Sequence, residues 1–360
     1  MINPKQSAIQ EEIIDKTLKF YQTNDKGYLD LTMRSGKTKI TLEFIKRSME
    51  SSMILLCYPD NKLKITWKEE MEKWHFKGHI IDFVNFSSLH NYINNYYNLI
   101  ICDEFHALSE GESESLSKII KNADKTIFLS GTISKETKQK WPRFKEIAKY
   151  TTIQAIEDKV VADYSITVHL VDLDTTILTP NKKGKMKSEN QRYEDYSYVM
   201  KQFKENGKDF MHLALARNRI SISSIAKKNY LLKLLDKYKD KRCIVFCGLS
   251  EVADNLGIPS HHSKSPNDNN LQAFQRKEFN HLALVEQGGI GVTYKDLDCV
   301  ILLNFVGNSA STSQKLNRGI MLDYMEKCSN FDIICLRKAA EQAKLKESLS
   351  MLDAKRIKYV

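Results

Sequence analysis

The chain has 360 residues, 42% apolar and 28% charged, a balance that excludes a disordered polymer and allows two ordinary domains. A formal charge of +10 favours polyanionic partners, although a lysine-rich surface reaches the same charge for solubility alone. The seven cysteines lack zinc-ligand spacing and read as reduced core residues. The first residues hold no apolar signal region and no apolar run reaches membrane-spanning length, so a cytoplasmic protein with no membrane partner is expected.

Residues 7–21 place Ile9, Ile13, Ile14, Leu18 and Tyr21 at helical spacing, with Gln6 just before them. Gly27 to Leu31 reads as a strand, and Thr38 to Ile45 as a helix with an apolar face. Between them lies Leu31 to Thr38, LTMRSGKT, which ends as a phosphate-binding loop ends. In such a loop backbone N–H groups wrap the phosphates, the lysine reaches the β/γ-phosphates and the threonine hydroxyl holds Mg²⁺. The full pattern has Gly where this chain has Leu31.

Met53 to Tyr58 is a buried strand, Ile65 to Phe76 a helix with Trp67 and Trp74 as packing residues, and Ile80 to Phe86 a strand. Asn98 to Cys102 is another, and it runs into Asp103-Glu104-Phe105-His106. An apolar strand ending in Asp-Glu downstream of Gly-Lys-Thr supplies a carboxylate for the Mg²⁺ shell and a second that polarises water. Lys125 to Leu129 ends in Ser130-Gly131-Thr132. This alternation gives a mainly parallel sheet covered by helices, with all three polar landmarks at strand C-terminal ends, where such sheets bind ligands.

The pattern loosens at 158–164, so the expected domains are 1–160 and 165–360, with an insertion over about 176–240. That stretch is polar, Lys-rich and aromatic, then helical from Phe210 to Leu235, where Arg217, Arg219, Lys227 and Lys228 suggest a nucleic-acid-facing arm; a solvated insertion fits equally. Strands resume at 166–171, 242–247, 282–285, 300–305 and 331–336, and residues 339–354 read as a terminal helix.

In this order the landmarks resemble the superfamily 2 helicases and translocases of the DEAD/DEAH type, most of all the small phage members and the nuclease-associated ones. The resemblance spans nearly the whole chain: Ser35-Gly36-Lys37-Thr38, the Asp103–His106 run, Ser130–Thr132, residues 243–256, residues 287–298 with Gly291, and Gln314 with Arg318. It implies an α/β fold of two RecA-like domains, ATP and Mg²⁺ as cofactors, and nucleic acid as partner, DNA rather than RNA. Protein partners in replication, recombination or repair are also implied.

By the same resemblance Arg34, Ser35, Gly36, Lys37, Thr38 and Gly291 would bind nucleotide, Thr38 and Asp103 the metal, and Glu104 would act as base. His106, Ser130 and Thr132 would couple nucleotide state to movement, Gln314 and Arg318 would reach the γ-phosphate, and Gln6 would read adenine. Two alternatives stay open: a viral DNA-packaging-type ATPase, and a catalytically weak nucleic-acid-binding protein on a helicase fold. The chain departs from the family pattern at Arg34, where Gly is usual, at Thr293, where Asp or Asn is usual, and at Asn317 and Met321, where Gly and a second Arg are usual. An arginine finger is worth on the order of 10³–10⁵ in rate. The expected outcome is therefore slow ATP turnover that depends on Arg318, with Arg318→Ala costing far more than Arg34→Ala in single-turnover hydrolysis.

Overall fold

Central strands with apolar residues on both faces call for a sheet buried on both sides, as parallel sheets are, and the first unit of the computed structural model has one. The structure describes residues 4–32, 34–131, 133, 135–180, 184–264, 269–285, 297–304, 329–350 and 352–360. The chain divides into two compact units, Met1–Val161 and Ala162–Val360.

In the first unit the elements are α1 (Pro4–Phe20), β1 (Lys26–Leu31), α2 (Lys37–Ser48), β2 (Met53–Tyr58), α3 (Asn61–Lys73) and β3 (Ile80–Asn85). They continue with β4 (Tyr97–Asp103), α4 (Glu110–Ile119), β5 (Ala123–Ser130), α5 (Lys135–Lys140), β6 (Lys145–Tyr150) and α6 (Thr152–Glu157). The strands pair in parallel in the order β3-β2-β4-β5-β1-β6. One face, with Tyr28, Leu55, Cys57, Ile100, Cys102 and Phe128, packs with Leu116 and Ile119 of α4 and with Trp141. The alternate residues Leu29, Ile54, Leu56, Leu99 and Ile101 point to the other face and are equally buried. Tyr21, just past α1, anchors that helix to β5 by donating to the Thr126 carbonyl at 2.6 Å.

The second unit opens with β7 (Tyr164–Val171), a hairpin of β8 (Leu178–Pro180) and β9 (Met186–Ser188), and three helices, α7 (Glu189–Glu205), α8 (Met211–Ile222) and α9 (Ile225–Lys237). Then come β10 (Cys243–Cys247), α10 (Ser250–Asp254), β11 (Ser260–His261), α11 (Asn269–Gln275) and β12 (His281–Val285). β13 (Cys299–Leu302), β14 (Ser329–Leu336), α12 (Ala339–Leu349) and β15 (Ile357–Tyr359) complete it. Its parallel sheet runs β11-β12-β10-β13-β14-β7-β15. The 176–240 stretch is not of one kind. Helix α9 buries Leu231, Leu234 and Leu235 in the sheet's core together with Val245, Ile301 and Ile334, so it belongs to the body of the unit, while the hairpin, α7 and α8 precede it. The six described cysteines are buried free thiols, as expected.

Beneath this sheet Asp332 is a buried carboxylate with three donors. His169 Nε2 lies 2.6 Å away, the Tyr238 hydroxyl 3.0 Å and the Cys299 thiol 3.0 Å. Burial works to raise its pKa, but these partners outweigh it and hold the carboxyl below the ordinary aspartate value. A folded-state pKa below the unfolded one contributes stability that is present above the unfolded value and lost as pH falls through the folded one. Asp332→Ala is expected to cost on the order of 3 kcal/mol at neutral pH, because three buried donors lose their acceptor. Urea midpoints would show that loss at pH 7 and a smaller difference between the two proteins in strong acid.

Candidate nucleotide site

The loop between β1 and α2 turns on Gly36, whose φ of 91° is left-handed and open to glycine without strain. A Cβ there would also lie 2.2 Å from Gln10 Nε2. Gln10 sits against the loop because its amide donates to the Ser35 carbonyl at 2.9 Å, and Lys39 Nζ donates to its Oε1 at 2.8 Å. One turn earlier on α1, Gln6 donates to the Arg34 carbonyl at 2.7 Å. Gln6, expected to read adenine, thus shares with Gln10 the task of clamping the loop. Ser35 is buried and its hydroxyl donates to the Thr32 carbonyl at 2.7 Å, so its side chain shapes the loop from within. Arg34 is exposed with φ 59°, which gives a physical reason why glycine suits that position.

Helix α2 begins at Lys37, so its unpaired N-terminal N–H groups and positive dipole end face the loop's concavity. Lys37 Nζ lies 3.1 Å from Glu104 Oε1. Burial works to lower the lysine's pKa, but the Glu104 and Asp103 carboxylates outweigh it and hold the ammonium above its ordinary value. Thr38 follows in the first turn of α2.

Strand β4 delivers Asp103 and Glu104. Asp103 is buried; its Oδ1 accepts the Glu104 N–H at 3.0 Å, and its Oδ2 accepts the Trp67 indole N–H at 2.8 Å. Burial, then the neighbouring Glu104 charge, pushes its carboxyl up to about 6, against the pull of Lys37 and Trp67. Glu104 has φ 52°, and this left-handed turn swings its side chain towards Lys37. Burial works to raise Glu104, but the Lys37 charge outweighs it and holds the carboxyl below the ordinary glutamate value. The nearby Gly131 backbone N–H works in the same direction. His106 Nδ1 shares a hydrogen bond with Ser130 Oγ at 2.7 Å and lies 3.4 Å from Glu104 Oε2. Burial lowers the His106 pKa, so the ring favours its neutral form.

Lys37, Asp103, Glu104, His106 and Ser130 therefore form one cluster at the C-terminal ends of β4 and β5. Thr132, Gly291, Thr293, Gln314, Asn317, Arg318 and Met321 lie outside the described residues. Sequence reasoning missed Gln10 and Trp67. Gln10 is one helical turn beyond Gln6 on the same face, a spacing that was available; nothing local to Trp67 marks it as a partner of Asp103.

The basic cluster of the second unit comes apart in space. Lys227 is buried, paired with Glu341 and donating to the Leu303 carbonyl at 3.3 Å, so it is a core residue and not part of a phosphate-facing surface. Lys228 is half-buried. Arg217 and Arg219 are two residues apart, roughly 200° around the helix. Arg219 is exposed, 3.7 Å from Glu251, whereas Arg217 lies over the Tyr193 ring, 5.4 Å from its centre.

No family model and no curated protein matches the chain. Solved structures do. The chain superposes over its full length on the ATP-dependent Type ISP restriction-modification enzyme LlaBIII bound to DNA, with a TM-score of 0.64 and 14% identity, and spans 31% of that enzyme. It superposes over 94% of its length on 97% of the Hef helicase domain of Pyrococcus furiosus, with a TM-score of 0.54 and 14% identity. A DEAD box protein from Methanococcus jannaschii gives 0.48 at 17% identity, over 98% of this chain and 92% of that one. No helix among the described residues is long and apolar enough to cross a membrane. Two mainly parallel α/β units and the first two of these superpositions give the chain a fold of two RecA-like units, similar to that of the Hef helicase domain and of part of LlaBIII.

Proposed function

We propose that the chain is an ATP-dependent nucleic-acid translocase or helicase, with DNA as its expected track. The observation that carries this is the pairing of Lys37 with Glu104 beside buried Asp103, at the mouth of a loop that leads into the N-terminus of α2. The donor set fits a magnesium nucleotide. Asp103 and the Thr38 hydroxyl are hard oxygen ligands, Lys37 is a phosphate cation, and the loop and helix start supply N–H donors. Bound Mg²⁺ would neutralise charge developing on the phosphates.

The chain's own groups then divide the work. Lys37 transfers its charge from Glu104 to the incoming phosphates, which frees the carboxylate to take a proton from the attacking water. Trp67 keeps Asp103 in one orientation. The hydrogen bond shared by His106 and Ser130, with His106 beside Glu104, links the base to the end of β5, a route by which nucleotide state reaches the residues that follow. Gln314 and Arg318 are proposed to act on the γ-phosphate. Arg219 and Lys228 are proposed as phosphate contacts, which would hold the track through its backbone and make binding salt-dependent.

Glu104→Gln is expected to bind ATP as the parent does and to lose about 10²- to 10⁴-fold in hydrolysis; parent-rate turnover would remove Glu104 from the mechanism. Trp67→Phe deletes the donor to Asp103 and keeps a ring in the core. Mg²⁺ titration of its ATPase should show about 10- to 100-fold weaker metal affinity, while nucleotide binding in EDTA stays at the parent level. ATPase rates with single-stranded DNA, double-stranded DNA and RNA at one fixed salt concentration test the function as a whole.

A further inference from the structure

The second unit holds a cavity of about 200 Å³ that the ATPase reading does not use. Helices α7, α8 and the start of α12 enclose it, beside the end of β13. Its base is tied together by Asn304, which is buried, accepts the Gly248 N–H at 3.0 Å and donates to the Ile222 carbonyl at 3.0 Å. A cavity of about 150 Å³ is enough for benzene, so this one has room for a nucleobase.

Its charge is lopsided. Arg217, Lys227 and Lys344 line it as cations, against the single carboxylate of Glu341. Glu341 is only 7% exposed. One of its oxygens meets Lys227, and the other, Oε2, is buried with no hydrogen-bond partner among the described residues. A buried carboxylate oxygen without a donor is costly and is rarely left so. Arg217 brings a second feature: its guanidinium lies over the Tyr193 ring, 5.4 Å from the ring centre, and forms a cation–aromatic platform at the wall. Bases of unpaired nucleic acid stack on arginine planes and aromatic rings of this kind. Lys344 Nζ is held in place by donating to Asn218 Oδ1 at 3.1 Å.

We infer that this cavity binds a single nucleotide unit, whose base N–H edge donates to Glu341 Oε2 and stacks against Arg217, and whose phosphate is taken by Arg217 and Lys344. An N–H donor answers the unpartnered oxygen, and a phosphate answers the excess of positive charge. A free nucleoside monophosphate and an unstacked residue of a single strand share that chemistry. The inference rests on the cavity and not on the ATPase reading.

The test uses the full chain carrying Lys37→Ala, so that the phosphate loop does not contribute. Calorimetric titration at fixed salt would compare the four nucleoside 5′-monophosphates, a single-stranded DNA pentamer and inorganic phosphate. Two further substitutions are made in that background: Arg217→Ala removes a cation and the platform, and Ser221→Leu fills the cavity without changing charge. Both positions are half-buried on α8 and line the cavity, not the sheet's core, so the fold is expected to survive them; thermal midpoints check this. One monophosphate should bind at a 1:1 ratio at least tenfold more tightly than inorganic phosphate, and each substitution should weaken it tenfold or more. If the pentamer alone binds and shows the same two losses, the inference stands with a strand as the source. Binding that survives Ser221→Leu, equal binding of inorganic phosphate, or no binding of any probe would overturn it. The ATPase of the unsubstituted chain is a separate readout, so the failure of either reading is visible without the other.

Discussion

The register of three parallel strands is the constraint on which the candidate site depends. β5 lies between β4 and β1, with Asp103 beside Leu129 and Asp30 beside Ser130. That alignment brings the end of β4, the end of β5 and the loop after β1 to one edge of the sheet. A slip of one residue would turn every apolar side chain of a strand to the opposite face, and both faces here are already filled. The packing of Tyr28, Cys102 and Phe128 on one face therefore determines where Asp103, Glu104 and Ser130 emerge. The site's precision is set by the core, not by the loops that display it.

Central strands were legible because each is a short apolar run bounded by turn residues or by acidic ends. Met53 to Tyr58 and the strands ending at Cys247, Val285 and Leu336 lie where the sequence places them. Of the edge strands β3 was read, over Ile80 to Phe86, but β6 and β15 were not. Lys145–Tyr150 carries Lys145, Glu146 and Lys149 on a half-solvated rim, and Ile357–Tyr359 is three residues long, so neither leaves a periodic apolar signature. The loop between β1 and α2 and the Asp-Glu turn after β4 were singled out from residue type and order alone. The residues that steady them were not, because Gln10 and Trp67 act from helices 25 and 36 residues away in sequence.

Lysine 227 shows why a basic cluster on a helix is an ambiguous signal. Its neighbour Lys228 keeps part of its surface in solvent, yet Lys227 turns inward onto a carboxylate more than a hundred residues downstream. Local sequence records that a cation is present and not where its long side chain ends. The same holds for Arg217 and Arg219, which share a helix and a charge but meet different surroundings. Only the tertiary partner separates a core ion pair, a cavity wall and an exposed guanidinium.

The left-handed backbone at Glu104 and Arg34 has a consequence for how this chain would respond to selection. Each such residue without glycine's freedom costs on the order of 1–3 kcal/mol, and at Glu104 that cost aims a carboxylate at Lys37. A library screened for heat resistance alone would gather glycine or asparagine at both positions. At 34 the exchange is free of charge-cluster losses, whereas at 104 every gain in melting temperature removes the group that faces the lysine. Thermal robustness and the Lys37–Glu104 pair would thus pull in opposite directions at 104 and be independent of each other at 34, which makes the two positions a gauge of whether evolved variants were kept for endurance or for work.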